Sequence, residues 1–216
     1  MKILITAGPT REPIDPVRFL SNRSSGRMGY ALAKAFTRQQ AQVLLISGPT
    51  ALDVPDHVDL IPVETAQEMY EAVAHALPRV DIAIFCAAVA DYTPEFVAPQ
   101  KVKKSAETLT LTLKKTVDIL GAARTTLGFT GYLVGFAAET EHLEVHARKK
   151  LLEKHCDMIL ANDVSQQGIG FDSTDNEVLI VGAEENTLLP RDSKEHLAHH
   201  IAEIILQRAE QKRDHA

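Results

Sequence analysis

Short apolar runs alternate along the chain with segments in which apolar residues recur at helical spacing. Runs that predict strands occupy residues 2–5, 43–47, 58–63, 81–86, 132–137 and 158–160, and those at 81–86, 132–137 and 158–160 are typical of buried strands. Helical spacing follows most of them, over residues 25–40, 66–77, 118–126, 141–155 and 193–208, and Asp118 is the expected cap of the third of these helices. Because strands that are joined by helices run parallel, this alternation predicts an α/β protein whose mostly parallel sheet is covered on both faces.

Three segments depart from this alternation. Residues 109–113, LTLTL, alternate strictly and predict a half-exposed strand. Residues 177–181 and 188–189 predict a late hairpin, so small antiparallel additions to the sheet are expected. Residues 92–106 contain two prolines and three lysines with little periodicity, which predicts a loop.

Composition and charge exclude several classes of protein. The formal net charge of the 216 residues is −6, which disfavours nucleic-acid binding because such surfaces are normally basic. No apolar run approaches the roughly 20 residues of a membrane span. The two cysteines, Cys86 and Cys156, lack metal-type spacing and indicate a reduced, cytoplasmic protein. The length predicts a single domain over residues 1–210, with a frayed polar tail at 211–216.

The stretch 5–33 joins the first strand to the first helix through a long loop with three prolines. Ser24, Ser25 and Gly26 stand where the helix should begin, and either serine can cap it. The free N–H groups and the dipole of a helix N-terminus favour a phosphate, and glycine lets a ligand approach the backbone. The stretch therefore predicts a ligand site; the alternative is a capped helix after a surface loop.

Small and polar residues follow the carboxyl ends of four predicted strands, at residues 8–10, 87–91, 136–139 and 161–163. Ligands of open α/β sheets bind beyond such ends, although small residues there also serve helix packing. Lysines form a second set of candidates. They are Lys101, Lys103 and Lys104 on the proline-rich loop, and Lys150 and Lys154 on one helix face. Lysine suits phosphate binding, whereas a solvated charge run is the alternative for any single lysine. We expect the lysine loop to be mobile when no ligand is bound.

Five motifs, in order, resemble the phosphopantothenate–cysteine ligase family, also called phosphopantothenoylcysteine synthetase. They are GPTREPIDPVRFLSNRSSGRMG, AAVADYTP, KVKK, VGFAAET and DMILAND. The resemblance implies a Rossmann-like three-layer sandwich with a mostly parallel sheet plus small antiparallel additions. It also implies a ligase of coenzyme A biosynthesis, which in many bacteria is the C-terminal half of a bifunctional protein. The flavin-containing decarboxylase half is absent from this sequence, so the chain is either a stand-alone ligase or an excised domain, and a separate phosphopantothenoylcysteine decarboxylase is the partner expected of a stand-alone ligase.

The reaction implied by the resemblance has two steps. The carboxylate of 4′-phosphopantothenate attacks the α-phosphate of a nucleoside triphosphate, CTP in typical bacterial enzymes, and pyrophosphate leaves. The amine of cysteine then attacks the acyl carbon, giving 4′-phosphopantothenoylcysteine and a nucleoside monophosphate. Mg²⁺ and a homodimer are implied as well. Many relatives read K-N-P-D-I where this chain reads K-T-V-D-I, so ATP stays open as the nucleotide.

The resemblance also assigns roles to individual residues. Asn22 and Lys101 match the catalytic residues: the Asn22 amide would donate to a carbonyl oxygen, and Lys101 would offset charge as pyrophosphate leaves. The expected phosphopantothenate-binding residues are Asn22, Ser24, Ser25 and Gly26. The expected nucleotide-binding residues are Ala87, Asp91, Lys101, Lys114, Lys115, Thr116, Val117, Phe136, Lys150 and Lys154. No metal ligand is assigned.

Two other functions stay open from the sequence. A nicotinamide-dependent reductase would use the same first strand, loop and helix, although the G-x-G-x-x-G turn is missing. A non-catalytic subunit that senses a nucleotide or a phosphopeptide would bind its ligand without releasing pyrophosphate.

Overall fold

The computed structural model describes residues 1–104, 107–139, 141–163 and 173–214. Its strands are β1 (Lys2–Ala7), β2 (Arg11–Pro13), β3 (Phe19–Ser21), β4 (Gln42–Ser47), β5 (Val58–Pro62), β6 (Ile82–Phe85), β7 (Tyr92–Pro94), β8 (Leu113–Lys115), β9 (Tyr132–Glu139), β10 (Met158–Asp163), β11 (Asp175–Gly182) and β12 (Asn186–Ser193). Its α-helices are α1 (Arg27–Arg38), α2 (Ala66–Ala76), α3 (Ile119–Thr125), α4 (Leu143–Glu153) and α5 (Lys194–Asp214).

One eight-stranded sheet forms the middle layer, in the order β5-β4-β1-β6-β9-β10-β11-β12. The six strands from β5 to β10 are parallel, β11 pairs antiparallel with β10, and β12 pairs antiparallel with β11. Helices α1 and α5 cover one face, and α2, α3 and α4 cover the other. This architecture confirms the α/β, Rossmann-like three-layer sandwich that was expected.

The first strand shows why the sheet is buried on both sides. Ile3 and Ile5 pack into the core beneath α1 and α5, whereas Leu4 packs into the core beneath α2 and α3. All three side chains are fully buried, as expected of a central parallel strand. At the end of the strand, a Cβ added to Gly29 of α1 would lie 2.5 Å from the Cβ of Ala7. The close packing at Gly29 brings the start of α1 directly over the carboxyl end of β1.

Two loops contain more structure than the sequence indicated. The loop after β1 folds into the β2–β3 hairpin, and the segment predicted as a loop over 92–106 begins with β7. Residues 105–106 of that segment lie outside the described residues. The strand predicted over 109–113 was wrong for residues 109–112, because only Leu113 enters β8. Thr112 still accepts a backbone hydrogen bond from the N–H of Glu95 at 3.0 Å, but in the described part of the chain residues 109–112 belong to no strand.

The C-terminal tail also differs from the prediction. Helix α5 continues to Asp214, so fraying of residues 211–214 was wrong, while residues 215–216 lie outside the described part. Lys212 explains the difference: its Nζ donates to the Gly131 carbonyl at 3.2 Å and pairs with Asp157 at 2.7 Å. A polar helix end is thus held by two specific contacts. The single domain over residues 1–210 stays a prediction.

Candidate active site

A cavity of about 970 Å³ opens at the carboxyl edge of the parallel strands. It lies between the start of α1, the ends of β6, β9 and β10, and the start of α3. It brings together most of the residues predicted from the sequence: Asn22, Ser24, Ser25, Gly26, Ala87, Asp91, Lys115, Thr116, Val117, Phe136, Lys150 and Lys154. Lys101 and Lys114 are predicted site residues that do not line this cavity.

The N-terminus of α1 forms one wall and carries no side-chain cap. The N-cap residue is Gly26, in the left-handed conformation with φ of 78°, and among the described residues no side-chain cap bond is found at this helix end. The expected serine cap was wrong, because Ser24 Oγ instead accepts a hydrogen bond from the N–H of Gly26, at 3.3 Å. The N–H groups of the first turn are therefore available to an anion at the cavity wall.

Asn22 is held against the segment that follows β6. Its Nδ2 donates to the carbonyls of Ala88 and Val89, at 3.0 and 3.2 Å. That segment is itself fixed, because Thr10 Oγ1 accepts from the N–H of Ala90 at 3.0 Å. With both amide hydrogens directed at backbone carbonyls, Oδ1 is the atom that Asn22 can offer to a ligand. The geometry thus differs from the predicted donation to a substrate carbonyl and favours an accepting role.

The segment from Lys115 to Val117 forms the next wall. The N–H of Thr116 donates to the Asp91 carbonyl at 3.0 Å, and Thr116 Oγ1 donates to the Ala90 carbonyl at 2.6 Å. These bonds place Asp91 beside the start of α3. The cavity also reaches Asp118, Ile119 and Leu120, which the site prediction omitted. The available signal was the role of Asp118 as a helix cap, which the structure confirms through the 3.0 Å bond from the N–H of Gly121.

Lys150 of α4 and Lys154, the residue directly after this helix, complete this side of the cavity. Lys150 Nζ donates to the Phe136 carbonyl at 2.6 Å, and Lys154 Nζ pairs with Asp118 at 2.5 Å. Burial lowers the pKa of Lys150, partly opposed by Glu139. Burial raises the pKa of Asp118, but the bonds from Lys154 and Gly121 outweigh it, so this pKa is below its usual value. The pair therefore places positive charge near the cavity while one lysine is tied to a carboxylate.

Lys101 lies beside a separate junction between the lysine loop and the turn of the β2–β3 hairpin. Asp15, with 3% of its surface exposed, accepts from the N–H of Val102 at 3.0 Å. Arg18 donates to the Val102 carbonyl at 2.9 Å and pairs with Asp15 at 2.5 Å. The Arg18 guanidinium holds the pKa of Asp15 well below its usual range. The backbone next to Lys101 is therefore fixed to the hairpin.

The two cysteines have similar environments. Burial raises the pKa of Cys86, which lines the cavity, to about 12, although Lys194 opposes the shift. Burial likewise raises the pKa of Cys156 to about 12. Since the thiolate is the reactive form, both thiols are protonated near neutral pH and suit packing better than catalysis.

Metal and membrane features were searched over the described residues alone. In those ranges no three His, Cys, Asp or Glu side chains gather into a metal site. No helix in the same ranges has the length and apolar character needed to cross a membrane.

Residues 1–209 match the family described as the DNA/pantothenate metabolism flavoprotein C-terminal domain. The chain belongs to this family. The chain is 48% identical to the coenzyme A biosynthesis bifunctional protein CoaBC of Vibrio vulnificus over 205 residues, which are 94% of this chain. The match covers 51% of that relative, so the chain spans about half the length of the curated relatives it matches.

Solved structures agree with this family membership. The crystal structure of the C-terminal domain of CoaBC is 43% identical, with a TM-score of 0.82, and the match covers 97% of this chain and 96% of that one. A Cab2 variant in complex with phosphopantothenate-cysteine shares the fold at 16% identity, with a TM-score of 0.81 over 99% of this chain and 88% of that one. The family resemblance seen in the five sequence motifs is thereby confirmed.

Proposed function

We propose that this family member is a phosphopantothenate–cysteine ligase that joins 4′-phosphopantothenate to L-cysteine at the expense of a nucleoside triphosphate, with CTP as the first candidate. The observation that carries the proposal is one cavity in which the uncapped N-terminus of α1, the wall-bound Asn22 and the Lys150–Lys154 pair meet. The names of the relatives, a coenzyme A biosynthesis protein and a complex with phosphopantothenate-cysteine, point the same way.

In the first step the substrate carboxylate attacks the α-phosphorus, the bond to the β-phosphate breaks, and pyrophosphate leaves with the electron pair. The first-turn N–H groups of α1 are oriented for the negative charge that grows on the phosphate oxygens. Lys101 would add positive charge from the lysine loop as pyrophosphate departs. Pre-oriented N–H groups suit this step, since they need no rearrangement when charge develops.

In the second step the neutral amine of cysteine attacks the acyl carbon, and the nucleoside monophosphate leaves with the electrons of the acyl–oxygen bond. The Asn22 Oδ1 can accept a hydrogen bond from the attacking N–H and so aim the nitrogen lone pair at the carbonyl. An amide is suitable here, because it orients the amine without competing as a nucleophile. The proton lost by the amine passes to the departing phosphate or to solvent.

Mg²⁺ fits the donor set of this cavity when a nucleotide brings it. Mg²⁺ commonly binds through substrate phosphates with one or two carboxylates rather than in an all-protein cage. Asp91 lines the cavity and would be the protein carboxylate that binds the ion, because Asp118 is already paired with Lys154. The bound ion would neutralise part of the phosphate charge.

A homodimer would cover an apolar surface made by the two small ribbons, β2–β3 and β7–β8, which contact each other. Phe96 is 75% exposed, and Val17 is 59% exposed. The other large exposed apolar side chains of this surface are Phe19, Tyr92, Val97, Leu109 and Leu113. Large exposed apolar patches mark interfaces. The family resemblance implies a homodimer, so a second copy of the chain is the expected partner at this surface.

Changing Phe96 to Glu is expected to shift the protein from dimer to monomer, because a carboxylate would replace the most exposed aromatic ring of the surface. Light scattering after size exclusion gives the mass directly. Leu188→Glu, on the exposed edge strand β12, is the matched control and should leave the mass unchanged. A wild-type protein that is monomeric at micromolar concentration would contradict the dimer.

The proposed activity is tested by pyrophosphate release with 4′-phosphopantothenate, cysteine and Mg²⁺, with CTP and ATP in parallel. We expect release with CTP, and losses of at least about 100-fold in Asn22→Ala and Lys101→Ala with unchanged folding. Lys149→Ala is the control, because that side chain pairs with Glu153. Full turnover by both site variants would refute the residue assignment. Binding of nucleotide by the wild type without any release would favour the sensing subunit.

A further inference from the structure

Buried polar side chains gather at the end of the cavity beside α5. Asn162, Asn176 and Lys194, here called the inner pole, are 9%, 3% and 7% exposed, and all three line the cavity. None of them was predicted as a site residue, although Asn162 lies in one of the strand ends noted in the sequence. Side chains of these types are seldom buried so deeply without a specific partner.

Strand register explains how the inner pole forms. Asn162 follows Leu160 on the face of β10 that packs beneath α1 and α5, and Asn176 shares a face of β11 with Val178. The N–H of Lys194, the first residue of α5, donates to the Thr174 carbonyl at 2.9 Å. The starts of β11 and α5 therefore meet at the carboxyl edge of the sheet, on the side where α1 begins.

Asn176 carries the decisive observation. Its Oδ1 is buried and has no hydrogen-bond partner within the described residues, and it is the one such side-chain atom found there. A buried acceptor that lacks a donor destabilises the ligand-free protein. Asn176 lines the cavity, although Oδ1 itself is closed to solvent, so a turn of the amide about its Cβ–Cγ bond would present Oδ1 to a bound ligand that supplies the missing donor.

We infer that Asn176 is a substrate-recognition residue whose Oδ1 accepts a hydrogen bond from a hydroxyl group of a bound substrate. An ionised phosphate has no hydrogen to give and would be repelled by the amide oxygen. An ammonium group would lose its hydration among these buried side chains. A neutral hydroxyl satisfies the acceptor without either cost.

Two substrates of the proposed reaction carry such a group, and the identity of the ligand rests on that proposed function. The nucleotide has the ribose hydroxyls, and 4′-phosphopantothenate has the hydroxyl of its pantoyl part. Either source would place its phosphates outside the inner pole, toward the uncapped start of α1. Recognition by a buried acceptor also predicts strong rejection of analogues that lack the hydroxyl.

Isothermal titration tests the inference by direct binding, without turnover. The ligands are CTP, 2′-deoxy-CTP, 3′-deoxy-CTP and 4′-phosphopantothenate, and the proteins are wild type, Asn176→Leu and Asn176→Asp. If ribose is read, one deoxynucleotide should bind the wild type at least about tenfold more weakly than CTP, and Asn176→Leu should abolish that difference. Asn176→Asp keeps an accepting oxygen at this position and should preserve the difference in affinity between CTP and the deoxynucleotide.

If the pantoyl hydroxyl is read, Asn176→Leu should instead weaken phosphopantothenate binding at least about tenfold and leave the nucleotides within about twofold. Thermal melting shows whether the variants fold. If Asn176→Leu does not fold, Asn176→Asp supplies the test. A deoxynucleotide that binds Asn176→Asp as tightly as CTP does, but binds the wild type more weakly, would overturn the inference. If the wild type binds both substrates and Asn176→Leu binds them with the same affinities, the role of Asn176 is overturned, whereas the proposed function stands. A folded wild type that binds neither substrate would overturn it together with the proposed function.

Discussion

Replacing Asp15 with asparagine is expected to lower the turnover number at least about tenfold while the chain stays folded. The buried carboxylate accepts hydrogen bonds from the N–H groups of Val17, Arg18 and Val102, each at 2.9 to 3.0 Å, and from the Arg18 side chain. An amide offers one accepting oxygen, and its NH₂ group would face the donors of Arg18. The junction that fixes the backbone beside Lys101 would therefore loosen.

Steady-state pyrophosphate release measures the loss, and limited trypsin digestion reports the junction itself, since Lys101, Lys103 and Lys104 flank Val102. Cleavage at these lysines should accelerate in Asp15→Asn while the melting temperature changes little. Asp59→Asn, an exposed position on the edge strand β5, is the control. Wild-type turnover and wild-type cleavage in Asp15→Asn would together refute the role of Asp15.

The depressed pKa of Asp15 fixes the sign of its pH dependence. Because the folded pKa lies below the unfolded value, the charged carboxylate stabilises the fold at every pH above about 4. That contribution declines only as the pH falls from the unfolded pKa toward the folded one. The junction should therefore be intact throughout the neutral range.

Changing Asp157 to alanine is expected to destabilise the protein by about 3 kcal/mol. Its carboxylate accepts from the N–H of Leu133 at 2.7 Å and pairs with Arg124 at 2.5 Å and with Lys212 at 2.7 Å. Without it, Arg124 and Lys212 would lie together at the amino edge of the sheet and would both lose the carboxylate that pairs with them. Lys212 is 38% exposed, so solvent limits the loss to the lower part of the range for buried pairs.

Urea denaturation followed by circular dichroism measures this change, since the chain has no tryptophan for fluorescence. Glu153→Ala removes the exposed pair with Lys149 and should alter stability by less than about 0.5 kcal/mol. Because Asp157 precedes β10, at the end of the sheet away from the cavity, KM for the nucleotide should be unchanged. Equal stability of the two variants would contradict the inferred network.

Local patterns predicted the features that depend on neighbouring residues in the chain. Apolar runs located β1 and β6, and Asp118 was identified as a cap because the cap acts within one helical turn. The contact between Asp15 and Val102 spans 87 positions and leaves no periodic signal. Asn176 was missed because it begins an antiparallel strand, outside the alternation of strand and helix that pointed to the other strand ends.

The β2–β3 hairpin has a consequence for any redesign of this chain. Its turn holds the backbone at Val102, and Asn22 follows directly after β3 at Ser21. Two proposed catalytic positions far apart in sequence thus share one short support. An insertion or deletion between Arg11 and Ser21 would shift both supports at once, so this surface segment should tolerate length changes poorly. Chimeras with other family members should exchange residues 11–22 as one block.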